Sequence, residues 1–227
     1  MSTQLRATFD QDLRQLQNDL LRMGGMLDRA IGQALQALAN RDADLARQVI
    51  ANDAQINALR FQIEEACLGL IARQQPTAGD LRAIVAAMNI ISDLERMADH
   101  AAGIARIVLR MGDEPLLKPL IDIPYMAEEC RTMLRRSLEA YIERNPDLAR
   151  EVAARDDVVD GLYNQIFREL LSFMLEDPRT TTRALYLVFA AHNLERIGDR
   201  VTNIAERIIF MTSGEMKELS AGPEAPI

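Results

Sequence analysis

The sequence predicts an all-α protein, a tandem repeat of two antiparallel three-helix bundles with six long helices. Apolar residues recur at steps of three and four along most of the chain, which is the period of an amphipathic helix. Ala, Leu, Ile, Val and Met supply most of the apolar 48%, Trp is absent, and Gly and Pro are sparse. This composition favours helices over strands. The string LERMADHAAGIA from residue 94 recurs as LERIGDRVTNIA from residue 194, which indicates an internal duplication.

Proline and capping signals divide this periodic chain into helices. Gln75-Pro76 ends the second helix, and three prolines within residues 112–124 forbid a continuous helix and mark a linker. Asn145-Pro146 and Asp177-Pro178 each place an N-cap residue before a first-turn proline, so they open the fifth and sixth helices. The expected helices cover residues 5–40, 42–72, 79–111, 125–143, 145–176 and 177–212.

The two halves match each other in order along the chain. The string DLARQV from residue 44 aligns with DLAREV from residue 147, and Pro76 and Pro178 occupy the same hinge. We therefore expect one three-helix repeat in residues 1–112 and a second in residues 113–227. The tail from about residue 213 contains glycines and prolines and is expected to be frayed.

Charge and composition limit the partners and the compartment. The net charge is −8, and an acidic chain has no overall attraction to phosphate backbones, so nucleic acid is not expected as a partner. The first 16 residues carry charges throughout and lack the apolar core of a signal peptide, and no apolar run approaches the roughly 18 residues of a membrane span. We expect a cytoplasmic protein without membrane insertion, in which Cys67 and Cys130 are reduced and buried.

Each copy of the repeated string contains two acidic residues four positions apart, Glu95 with Asp99 and Glu195 with Asp199. On a helix this spacing brings both carboxylates to one face, with Cβ atoms about 5–6 Å apart, where like charges repel. Each glutamate also interrupts an otherwise apolar stripe, and a buried carboxylate needs a partner or a proton. The duplication of this unfavourable arrangement points to a bound cation.

The second helix of each repeat offers a matching pair, Asp53 with Asn57 and Asp156 with Asp160, again four residues apart. If neighbouring helices run antiparallel, four oxygen-bearing side chains face one another in each bundle. Hard oxygen donors suit magnesium, manganese, calcium or iron better than copper, and the motif offers zinc no Cys or His. The candidate metal ligands are Asp53, Asn57, Glu95, Asp99, Asp156, Asp160, Glu195 and Asp199.

Other interpretations of these residues stay open. Arg96 and Arg196 lie three residues before the repeated aspartates, so the carboxylates could belong to a network of ion pairs between helices. His100 and His192 are expected at the surface or at caps, although His192 lies one turn before Glu195 and could be a peripheral ligand. Arginines on the fourth helix form a basic patch that is either solvated or in contact with an acidic partner. They are Arg131, Arg135 and Arg136.

The doubled Leu-Glu-Arg-x-x-Asp string, the Met-Gly-Gly-Met of residues 23–26 and the string RQQPTAGDLR of residues 73–82 together resemble the PhoU family over residues 5–212. The resemblance implies two three-helix bundles whose acidic motifs bind metal ions, with iron, manganese, magnesium or zinc as candidates. Glu95, Asp99, Glu195 and Asp199 match the family's metal motifs. The other four candidate ligands complete the two sets, and Asn57 departs from the carboxylate pattern.

The same resemblance implies a function. PhoU proteins act as negative regulators of the phosphate-starvation response and modulate high-affinity phosphate uptake. They are thought to link the ATPase subunit of the Pst phosphate ABC transporter to a membrane sensor histidine kinase, and a homodimer is expected. The alternative is an enzyme, a metal-dependent hydrolase or a carboxylate-bridged oxidase. Oxidases of this type use Glu-x-x-His, whereas residues 98 and 198 are Ala and Gly, and no nucleophile motif is present. We therefore expect a non-catalytic protein.

Overall fold

A computed structural model describes residues 3–74, 76–215 and 219, and most of the tail that was expected to be frayed lies outside them. Within the described residues the chain has six long helices and no strand, so the predicted all-α fold class is confirmed. A seventh, short helix and a single 3₁₀ turn at Pro178–Thr180 complete the set. The helices are α1 (Thr3–Asn40), α2 (Ala43–Gln74), α3 (Ala78–Met111), α4 (Asp122–Glu143), α5 (Pro146–Ala153), α6 (Asp156–Glu176) and α7 (Thr181–Ser213).

The connection between the first two helices is built in the same way in each repeat, between α1 and α2 and between α4 and α5. Arg41 after α1 and Arg144 after α4 both adopt the left-handed conformation, with φ of 55° and 51°, which few non-glycine residues do. The following residue, Asp42 or Asn145, accepts hydrogen bonds through its side chain from the backbone N–H groups two and three residues later. This is the geometry of an N-cap. The duplication therefore extends to the turn chemistry.

The fifth predicted helix is interrupted, so the prediction of one continuous helix there is wrong. α5 ends at Ala153 and α6 begins at Asp156. The N–H of Arg155 bonds to the carbonyl of Val152 at 3.1 Å, a three-residue step that tightens the chain into 3₁₀ geometry. Arg155 also donates to the carboxylate of Glu129 on α4, which ties the tightened turn to its neighbour. Apolar spacing hardly changes across such a short step, so the sequence does not reveal it.

The linker between the repeats is shorter than predicted. α4 begins at Asp122, and Pro124 lies in its first turn. A proline is tolerated there because the N–H groups of the first turn have no intrahelical partner. The chain between α3 and α4 is held against the second repeat, since Lys118 forms ion pairs with Glu169 on α6 and with Asp122.

The two repeats pack together mainly through α3 and α7. His100 Nδ1 lies 3.0 Å from Asn193 Oδ1, and Arg200 Nη1 lies 3.5 Å from Asp93 Oδ1. Because residues 93 and 100 correspond to 193 and 200 in the repeat, these two contacts are equivalent, as in a two-fold interface. The surface role expected for His100 is wrong, because its ring is half-buried between the two helices.

The basic patch on α4 has its acidic partner within the chain. Arg131 makes two parallel hydrogen bonds, of 2.9 and 3.0 Å, to the carboxylate of Asp28 on α1, and Arg135 contacts the same carboxylate. A bidentate pair of this kind fixes orientation as well as charge. The patch therefore joins the two repeats along a second seam.

Cys67 and Cys130 are both fully buried, as predicted, and neither forms a disulfide. No helix in the described part of the chain is long and apolar enough to cross a membrane.

The duplicated N-caps should contribute equally to stability. Replacing Asn145 or Asp42 by Ala removes the acceptor for two backbone N–H groups, so each change should lower the free energy of unfolding by about 1 kcal/mol. Urea denaturation measures this loss. Asn52→Ala, at an exposed position inside α2, is the control and should cause no loss. A clear loss in one repeat and none in the other would contradict the equivalence of the two turns.

Candidate metal centre

Three carboxylates converge between α6 and α7. One oxygen from each of Asp156, Asp160 and Asp199 lies within 4.8 Å of the other two. Asp156 and Asp160 share a face of α6 because they are four residues apart, and Asp199 faces them from the neighbouring helix. Among the residues that the structure describes, no other group of three acidic, His or Cys side chains meets this distance. The three aspartates are hard oxygen donors that could hold a metal ion.

Asp156 lies deepest in this cluster. Its Oδ2 accepts a hydrogen bond of 3.1 Å from the hydroxyl of Thr202, whereas its Oδ1 is buried and has no hydrogen-bond partner. Burial, followed by the charges of Asp160 and Asp199, raises the pKa of Asp156 to about 7. A buried oxygen without a donor is unfavourable, and a cation would remove that cost.

Glu195 and Asp199 complete the set from α7. Glu195 Oε2 is also buried without a hydrogen bond, and the imidazole Nδ1 of His192 lies 3.4 Å from it. Burial and the charge of Asp199 raise the pKa of Glu195 to about 7, against the opposing effect of Arg196. Asp199 itself pairs with Arg196 at 2.6 Å. Arg196 therefore compensates Asp199, whereas Asp156 Oδ1 on α6 and Glu195 Oε2 on α7 remain buried without a hydrogen bond.

Gly198 makes room for the cluster. A Cβ atom at this position would lie 2.7 Å from Asp156 Oδ1 and 3.2 Å from Val159 Cγ1, both closer than ordinary van der Waals contact. The absence of a side chain thus lets α6 approach α7 closely enough for the Asp156 carboxylate to reach the site.

The corresponding residues of the first repeat are placed differently. Asn57 Nδ2 donates to Asp53 Oδ2 at 3.3 Å, so the amide is already used within α2. Arg60 Nη1 lies 3.8 Å from Glu95 Oε1 on α3. Burial and then the charge of Asp99 raise the pKa of Asp53, which places Asp99 in the same electrostatic environment. The eight predicted ligands thus fall into two groups of four, and only the second group brings three carboxylates within 4.8 Å.

The buried thiol of Cys130 adjoins the second group without joining it. It donates a hydrogen bond to the carbonyl of Leu194 at 3.2 Å. Burial, then the charge of Asp156, raises the pKa of this thiol far above its usual range. A thiol must lose its proton to act as a nucleophile or ligand, so this one does neither at neutral pH.

Sequence patterns did not indicate several residues that lie at the site. Thr202 lies seven residues after Glu195 and so on the same helical face, but its hydroxyl gave no signal among apolar neighbours. Arg60 and Tyr163 follow the second members of the α2 and α6 pairs by three residues and could have been found by extending the repeat alignment. In the sequence, Gly198 stands out only as the position where a Glu-x-x-His motif would carry histidine.

The similarity of this chain to known proteins agrees with the internal duplication. The family model described as the PhoU domain matches twice, at residues 20–108 and 123–208. The chain belongs to the PhoU family. The phosphate-specific transport system accessory protein PhoU homolog of Clostridium acetobutylicum is 40% identical over 216 residues, which cover 95% of the chain and 99% of that protein. The protein of the same name from Zymomonas mobilis is 41% identical, over 95% of the chain and 92% of its own length.

Solved PhoU structures share the fold. The crystal structure of PhoU from Pseudomonas aeruginosa superposes with a TM-score of 0.87 at 36% identity, and the match covers 91% of this chain and 100% of that one. The phosphate transport system regulatory protein PhoU from Streptococcus pneumoniae gives a TM-score of 0.86 at 31% identity, with coverage of 92% and 99%. The PhoU fold of this chain therefore rests on sequence and structure together.

Gly198→Ala should disturb the cluster. The added Cβ would displace the Asp156 carboxylate and crowd Val159, so the free energy of unfolding should fall by about 1–3 kcal/mol. Gly161→Ala is the matched control on α6, since an added Cβ there meets nothing within 4 Å. It should stabilise the protein by about 0.5–1 kcal/mol through helix propensity. Equal effects of the two substitutions in urea denaturation would contradict the close approach described for Gly198.

The metal-free protein should become less stable as pH rises. The pKa values of Asp156 and Glu195 are about 7 in the folded protein, whereas carboxylic acids of an unfolded chain titrate near about 4. Between these values the folded state holds protons that the unfolded state has released, so the free energy of unfolding falls from about pH 4 to about pH 7. Urea denaturation with a chelator measures this slope.

Asp156→Asn should flatten the same slope, because the amide carries no charge and still accepts the hydrogen bond from Thr202. Asp147→Asn, at an exposed position on α5, is the control and should leave the slope unchanged. A slope that persists in Asp156→Asn would show that other groups cause it.

Proposed function

We propose that this PhoU-family chain is a regulatory accessory protein of a phosphate-specific transport system. The observation that carries the proposal is the match of both repeats to the PhoU domain, together with relatives that are named accessory proteins of that system and align over nearly the whole chain. In this proposal the protein represses the phosphate-starvation response when phosphate is plentiful and modulates high-affinity uptake.

The proposed partners are the ATPase subunit of the phosphate ABC transporter and a membrane sensor histidine kinase, contacted from the cytoplasm by a homodimer. The names of the relatives support the transporter as a partner. The proposals of a kinase partner and of a homodimer rest on the resemblance to the PhoU family, which the doubled motif first indicated. A helical body of this kind acts by binding, and we propose no catalytic step for it.

We further propose that the second repeat binds a metal ion through Asp156, Asp160, Glu195 and Asp199. The donor set fits, because all four side chains offer carboxylate oxygens and two of these oxygens are buried without a hydrogen bond. Such a set suits iron, manganese or magnesium better than zinc, which favours Cys and His. When bound, the metal would supply positive charge that offsets the repulsion between α6 and α7.

The physical role of the site would be to favour one arrangement of α6 and α7. Without a cation, carboxylates on the two helices repel each other and some hold protons at neutral pH. A ligand that binds one arrangement more tightly shifts the population toward it. In the proposed function, this arrangement is the one that presents the protein surface to the transporter and the kinase.

The enzymatic alternative gains no support from the site. Residues 98 and 198, where a di-iron oxidase would carry histidine, are Ala and Gly, and the thiol nearest the cluster is fully buried.

Removal of two carboxylates from the site should weaken metal binding and relieve repression of the phosphate-starvation response. Glu195→Gln with Asp199→Asn should lower the metal content of purified protein, measured by element analysis, at least about tenfold. In cells grown with ample phosphate, the same variant should raise a phosphate-starvation reporter toward the level of a deletion strain. Asp147→Asn with Glu151→Gln is the matched control, since these exposed α5 residues have the same spacing and lie outside the site.

Two outcomes would count against the proposal. A deletion strain that keeps the reporter silent at low and high phosphate would overturn the regulatory function. A double variant with wild-type metal content and wild-type repression would overturn the metal role alone.

A further inference from the structure

The two repeats share their backbone plan but differ in charge around the acidic cluster. Superimposing the repeated motifs aligns Asp53 with Asp156 and Glu95 with Glu195. Three aligned positions near these residues carry arginine only in the second repeat, where Arg155, Arg200 and Arg207 replace Asn52, His100 and Ile107. At four others the second repeat lacks a positive charge or gains a negative one. The pairs, first repeat then second, are Ala54 and Asp157, Asn57 and Asp160, Arg60 and Tyr163, and Arg106 and Glu206.

Arg60 extends from α2 across to α3. Its Nη1 lies 3.8 Å from Glu95 Oε1, its Nη2 lies 3.6 Å from Glu64 Oε2, and its guanidinium carbon lies 5.1 Å from the centre of the Phe61 ring. The side chain is only 26% exposed, so its charge is partly shielded from water. In the second repeat the aligned residue Tyr163 is uncharged, and its ring lies 6.0 Å from that of His192.

We infer that Arg60 is the built-in counter-ion of the first repeat, so that metal binds in the second repeat only. The inference rests on the metal binding proposed above. A guanidinium stays protonated in proteins, so Arg60 places a permanent positive charge beside Glu95, which a metal ion would have to approach. Asn57 supplies a neutral amide that already donates to Asp53, so this group also has one carboxylate fewer.

A second arginine distinguishes the first repeat. Arg106 follows Asp99 by seven residues on α3 and so lies on the same side of that helix. The second repeat has Glu206 at the aligned position. The first group has one buried carboxylate oxygen without a hydrogen bond, Asp53 Oδ1, and Arg60 lies beside its Glu95. The second group has two such oxygens and no arginine at the position of Arg60.

Metal titration of the apoprotein tests the inference. With Mn²⁺ as the probe in isothermal titration calorimetry, Glu95→Gln with Asp99→Asn should keep the stoichiometry and affinity of wild type. Glu195→Gln with Asp199→Asn should lose at least about tenfold in affinity. Equal metal loss in both double variants would overturn the inference while leaving the proposed metal binding intact. Absence of Mn²⁺ binding to wild type would overturn both, so the two failures are distinguishable.

Exchange of the distinguishing residues gives the sharper test. Tyr163→Arg should weaken Mn²⁺ binding in the second repeat at least about tenfold and raise the melting temperature in chelator, because it supplies the missing positive charge. Arg60→Tyr with Asn57→Asp should add a second Mn²⁺ site and lower the melting temperature in chelator. If this variant folds only with Mn²⁺, recovery of its circular dichroism spectrum gives the same support. Tyr163→Arg with unchanged Mn²⁺ affinity would overturn the inference.

Discussion

The structure of the second repeat depends on one electrostatic constraint, the placement of like charges on facing surfaces of α6 and α7. Carboxylates that approach within 4.8 Å in a partly buried site repel each other, so the surrounding chain must offset their charge. Thr202 donates to one oxygen, Arg196 pairs with one carboxylate, and Gly198 leaves the space that the cluster occupies. The interruption before α6 places Asp156 in a first helical turn, where the helix dipole favours negative charge.

The acidic clusters are directly connected to the interface between the repeats. Asp99 and Asp199 immediately precede His100 and Arg200, the residues that make the equivalent contacts between α3 and α7. A change in the rotation of either helix would therefore alter a cluster and an interface contact together. A structural change at the proposed site can therefore affect the interface between the repeats. α3 and α7 form the largest helix contact in the described structure.

The sequence predicted the fold class, the boundaries of most helices and the pairing of acidic residues on facing helices, because all three depend on periodicity and repetition. It did not predict the turn at residues 154–155, since that turn is held by a contact between Arg155 and Glu129, which are far apart in sequence. It likewise did not predict the contact of Arg60 with Glu95, because the partner of a charged side chain depends on which helix it faces. Spacing along a helix indicates which residues share a face, but it does not indicate which residues of a neighbouring helix lie opposite that face.

The equivalent contacts of α3 and α7 give the interface between the repeats a two-fold character, whereas the charges of the two repeats differ. A partner that recognised only the shape of such a body could dock in two opposite orientations. A partner that also responds to charge would distinguish the end that carries Arg60 from the end that carries Asp160. Divergence after duplication has thereby given the two ends of a repeated scaffold different charges, and with them a direction.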